Sequence, residues 1–112
     1  MKIHEQFLTA LKSESRETFL LAMGHRLGVS AREIFAEDGP DSLRCARACN
    51  EVMIAIWSQL WASKEPSVQS YPDGEFLSIL IDKADTGSAR PYLRSAIESS
   101  LFFIRESGRP TS

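Results

Sequence analysis

A chain of 112 residues, 43% hydrophobic and 25% charged, has the length and composition of one ordinary globular domain with enough apolar side chains for a real core. Its formal net charge of -2 excludes a global attraction to phosphate backbones or anionic membranes and leaves only local patches for such partners. There is no run of about 20 apolar residues to span a bilayer, and the N-terminal MKIHEQFLTALKSESRE lacks the uninterrupted apolar region of a secretory leader, so a cytoplasmic protein with no membrane partner is the expectation.

Ile3, Phe7, Leu8 and Leu11 share one face of a helix near residues 2–12. The polar Ser13, Glu14 and Ser15 either break it, with Ser15 placed to cap the next helix, or form a solvated turn within one long helix. Phe19, Leu20, Met23 and Leu27 carry a second apolar face over 16–27, which ends at Gly28 as a left-handed stop. Ser30 and Glu33 have the capping-box spacing and predict a short helix over 31–37 that turns Ile34 and Phe35 to the core. Glu37, Asp38, Gly39 and Pro40 read as a turn.

The longest predicted element is 41–64, starting at Asp41 or Ser42, about 36 Å of helix. Two stripes run along it: Leu43, Ala46, Asn50, Met53, Trp57 and Leu60, and beside them Cys45, Cys49, Val52 and Ile56. An apolar sector this wide marks a central helix. Pro66, Pro72 and Gly74 make an irregular connection, followed by a helix over 74–85 built on Phe76, Leu77, Leu80, Ile81 and Ala84. Leu77 with Ile79–Ile81 also suits a buried strand, but no second strand candidate exists to pair with it. Ser88 caps a last helix over 89–106, with Pro91 in its first turn and Leu93, Ile97, Leu101 and Ile104 in one stripe. The expected fold is all-α, a compact bundle of five or six helices around the central one, as a single domain over 1–107 with a mobile tail at 108–112.

Residues Leu20 to Asp38, LLAMGHRLGVSAREIFAED, resemble the helix-turn-helix of bacterial transcription regulators. The resemblance makes Gly24 the small residue where the helices approach, Gly28 the turn, and Val29 and Ile34 the packing pair. It implies a recognition helix from Ala31 in the major groove, with His25, Arg26, Ser30 and Arg32 as the DNA contacts. Arg32 is the lone basic residue on that helix against Glu33, Glu37 and Asp38, which opposes docking on phosphates. DNA binding is therefore the alternative function, and a tight helical corner the simpler one.

Asn50 falls on the Leu43, Met53 and Trp57 stripe, where a buried amide needs a partner such as Arg47, a backbone carbonyl or its own copy across a dimer axis. Trp57 and Trp61, one turn apart, together with Phe102 and Phe103, either close the monomer core or exceed what one small core absorbs and form an interface, the latter being the expectation. Cys45 and Cys49 lack further ligand partners and read as reduced thiols. Asp82 and Asp85, with Arg90 and Arg94 following, read as a solvated face or an ion pair between helices. Neither His4 nor His25 has an acid or nucleophile at a recognisable spacing, so no catalytic residue, metal or cofactor is expected. The function expected is a non-enzymatic protein-interaction module, a homodimer or a small adaptor or regulatory subunit, with Asn50, Trp57, Trp61, Phe102 and Phe103 as interface candidates.

Overall fold

The computed structural model describes residues 2–107; the predicted tail over 108–112 lies outside them. The described residues form five helices, α1 (Ile3–Leu11), α2 (Arg16–Phe35), α3 (Pro40–Ala62), α4 (Asp73–Asp85) and α5 (Arg90–Ser107), in an all-α bundle. The antiparallel pair α2 and α3 forms its centre, α5 packs on α2, and α4 packs on α3.

The core is one cluster to which every helix contributes. Phe7 of α1 meets Phe19 of α2 edge to face at 5.6 Å between ring centres, and Phe76 of α4 at 6.2 Å. Leu20, Met23 and Leu27 of α2, Val52 and Ile56 of α3, and Leu80 of α4 are fully enclosed around them. The break between α1 and α2 is real and is held by Arg16, which donates to the Leu11 carbonyl at 3.0 Å and to Asp73 of α4 at 3.1 Å. One guanidinium thus satisfies the frayed end of α1 and ties it to the first turn of α4.

Three expectations are corrected. Residues 16–35 are one helix, not two, so no turn exists at Gly28 and no capping box at Ser30. Leu20, Met23, Leu27, Ser30 and Ile34 continue a single buried stripe across the glycines, and that burial outweighs the helix-breaking tendency of glycine, about 1 kcal/mol each. Among the described residues no glycine has positive φ, and the left-handed residues are Asp38 (φ 54°) in the α2–α3 turn and Ser88 (φ 56°) in the α4–α5 turn. Second, α3 begins with Pro40 at its first position, where the missing amide costs no helical bond, ahead of the expected Asp41 or Ser42. Third, Ser88 is not the cap of α5: the Ala89 amide returns to the Ala84 carbonyl at 2.8 Å, closing the end of α4.

Gly87 in that turn is buried directly on α3. A Cβ there would overlap the Arg44 carbonyl oxygen, 2.7 Å from its carbon and 2.9 Å from Ala48 Cβ, so the corner closes on α3 only with glycine.

Candidate functional site

The buried stripe of α3 is Cys49, Val52, Ile56 and Gln59. Gln59, enclosed at the end of this stripe, donates to the Tyr71 carbonyl at 2.7 Å and accepts from the Tyr71 amide at 3.1 Å. This reciprocal clamp pins the α3–α4 connection, and it is the buried amide of the helix. Asn50, assigned by its spacing to the core, is exposed. The reason is a choice between two adjacent stripes: α4 and the rest of the core cover Val52 and Ile56, which turns Leu43, Asn50 and Trp61 outward.

Between α2 and α3 that outward side forms an open groove of about 1070 Å³. Its floor exists because two glycines sit inside α2. A Cβ at Gly24 would lie 2.6 Å from the Trp57 ring, and one at Gly28 would lie 3.1 Å from Met53 Sδ. Without side chains there, Trp57 and Met53 of α3 lie directly against the α2 backbone, and the helices approach closely. Gly24 and Gly28 are thus the small residues of a close approach to α3, whereas the helix-turn-helix resemblance had Gly24 facing a second helix beginning at Ala31 and Gly28 making a turn.

Helical geometry aligns the residues along this face. Leu21, Gly28 and Phe35 are seven apart and fall on one line of α2; Leu43, Asn50 and Trp57 do the same on α3, and Trp61 lies five whole turns from Leu43. Leu21, Phe35, Leu43 and Trp61 are all exposed, Phe35 by 65% and Trp61 by 59%. Phe35, expected in the core beside Ile34, is instead a solvent-facing aromatic; Ile34 alone is buried.

The groove's polar lining comes from His25 and Arg32 on α2 and from Arg47, Asn50 and Glu51 on α3. Glu51 is shared with Lys83 of α4 at 4.0 Å, while neither arginine has an ion-pair partner among the described residues. The middle of the face is accordingly polar and net positive, and its two ends are apolar.

Of the interface candidates, Asn50 and Trp57 line the groove and Trp61 extends its line, whereas Phe102 and Phe103 are exposed on α5 and do not line it. Of the DNA-contact candidates, His25 and Arg32 line the groove, Arg26 is exposed elsewhere on α2, and Ser30 is buried. They stand on one continuous helix packed along α3, so no separate recognition helix projects from the fold. The sequence reading missed Leu21, Phe35 and Leu43 as surface anchors; the signal was the heptad line through Gly28 for the first two and the line through Asn50 and Trp57 for Leu43.

Elsewhere, Cys45 and Cys49 are free thiols, and burial pushes Cys49 up to about 12. Asp85 accepts both bonds of an Arg90 fork, at 3.0 and 2.6 Å, which lowers its carboxyl below the usual range. Among the described residues no group of three or more His, Cys, Asp and Glu side chains is placed to hold a metal ion, and no helix is long and apolar enough to cross a membrane. No protein-family model, curated protein or solved structure matches the chain.

Proposed function

We propose that this chain is a non-enzymatic protein-interaction module that works through the outer face of α2 and α3, and that its partner is a second copy of itself. The observation that carries this reading is the set of large apolar side chains held out of the core on that face by a rigid helix pair: Leu21, Phe35, Leu43 and Trp61. Aromatic side chains each cover about 150–250 Å² when enclosed, so covering Phe35 and Trp61 withdraws on the order of 100 Å² apiece and contributes about 2.5 kcal/mol each. Rigid aromatic anchors on a preformed surface lose little conformational entropy on docking. Apolar groups at both ends and polar groups between them form a layout whose ends can cover one another. A homodimer also gives the exposed Asn50 amide a protein partner in place of water.

Sedimentation equilibrium from low to high micromolar concentration tests the reading. A reversible monomer–dimer equilibrium, shifted to monomer by Phe35→Glu with unchanged helicity, is the expected result. A strictly monomeric wild-type protein at high micromolar concentration would overturn it.

A further inference from the structure

We propose that the two copies meet face to face with α2 antiparallel to α2 and α3 antiparallel to α3, about a two-fold axis at Gly28; this rests on the homodimer reading above. The observation is a coincidence of midpoints. On α2, Leu21 and Phe35 stand seven residues either side of Gly28, about 10 Å each way. On α3, Leu43 and Trp61 stand nine residues either side of Val52, about 13 Å each way. Gly28 packs against Met53, the neighbour of Val52, so both midpoints lie at one level of the groove. One axis, lying in the face and perpendicular to the helices, therefore relates both sets of anchors at once.

That operation places Leu21 on the partner's Phe35 and Leu43 on the partner's Trp61, so each apolar anchor lands on another. Arg47 and Trp57 stand five residues either side of Val52. The same axis brings each Arg47 level with the partner's Trp57, a guanidinium beside an indole. The glycines at the centre keep the middle low enough for the ends to touch. An isologous contact requires this kind of self-matching surface, which an unrelated partner does not. The footprint, about 27 Å long and two helices wide, is on the order of 500 Å² per copy, which reaches the lower bound of a specific interface and suits micromolar affinity.

The charges set a second condition. Arg32 and Arg47 of both copies share the middle, offset by two Glu51 carboxylates that Lys83 already approaches. Like charges around an apolar contact repel, and salt screens the repulsion. The dimer therefore tightens as salt rises, whereas an acidic partner on the same basic rim would be released.

The test uses disulfide trapping in a Cys45→Ala background, mixing two differently tagged single variants under mild oxidation. Leu21→Cys with Phe35→Cys is expected to give the mixed disulfide, and Leu21→Cys with Trp61→Cys is not. Sedimentation from 50 to 500 mM salt should show a several-fold gain in association. The reverse trapping pattern in a protein that still dimerises would overturn this arrangement and favour the one with the axis along the helices, leaving the homodimer intact. A dimer that trap neither pair captures, or one that loosens with salt, would also overturn it. A monomer throughout would overturn the homodimer itself.

Discussion

Two sides of α3 differ in how firmly their contacts are fixed. On the inner side, Val52 and Ile56 are fully enclosed and Gln59 has both its amide donor and its carbonyl satisfied by Tyr71. On the outer side, Leu43 and Trp61 are exposed, Met53 and Trp57 are half-buried, and Asn50 faces solvent. Each side also meets a glycine. Gly87 touches α3 through the Arg44 backbone, and Gly24 touches it through the far edge of the Trp57 ring. The inner side is organised for stability, and its neighbours cannot give way. The outer side keeps apolar surface uncovered, and its neighbours can move.

The largest expected effect sharpens that contrast. Gly87→Ala forces a methyl group into a backbone carbonyl and should cost about 3 kcal/mol, whereas Gly24→Ala should change stability by less than about 1 kcal/mol. In the second case a better helix residue offsets the displacement of a ring that can swing outward. Urea unfolding measures both, and a red-shifted tryptophan emission in Gly24→Ala reports the swing. Equal costs would remove the distinction between the two sides.

Gln59→Ala comes next. It leaves the Tyr71 amide and carbonyl to water and should cost about 1–2 kcal/mol, with faster hydrogen exchange at the Tyr71 amide. Unchanged exchange there would mean that the connection is held by something else.

Much of the architecture was legible because burial follows helical periodicity. The apolar faces of α1, α4 and α5 have clear spacing, and the breaks at Ser13–Ser15 and Asp85–Ser88 are rich in turn formers. The α2 region was misread because Gly28 and the Ser30–Glu33 pair have the local form of a stop and a start. Only the packing of Trp57 and Met53 reveals why glycines lie inside a helix. The same limit applied to α3. Two stripes of similar composition ran side by side, and periodicity does not say which one the other helices cover. Aromatic surplus is visible in composition and singled out Trp57 and Trp61, but it did not show that Trp61 is exposed while Trp57 is half-buried against Gly24; Phe35 was not singled out, because a neighbouring isoleucine suggested a shared core position.

A pH effect should distinguish the sides further. Burial holds the Cys49 thiol well above its unfolded value, so the folded state retains a proton that the unfolded state loses. The stability this gives is fully present below about pH 9 and is lost as pH rises from 9 toward 12. The stability difference between the wild type and Cys49→Ala should therefore narrow as pH is raised from 8 to about 10.5. A constant difference would mean that the thiol is less enclosed than its position implies. The smallest effect belongs to Asn50→Leu, which should alter monomer stability by less than about 0.5 kcal/mol because the amide is solvated. A loss above about 1.5 kcal/mol in urea unfolding would show Asn50 to be a structural amide after all.

The most direct measurement compares wild type, Phe35→Glu and Trp61→Glu by sedimentation equilibrium at matched helicity. Reversible dimerisation of the wild type in the micromolar range, weakened at least tenfold by either charge, is the expected result. A wild type that remains monomeric at high micromolar concentration, or a dimer indifferent to both substitutions, would contradict the assignment of the α2–α3 face as the contact surface.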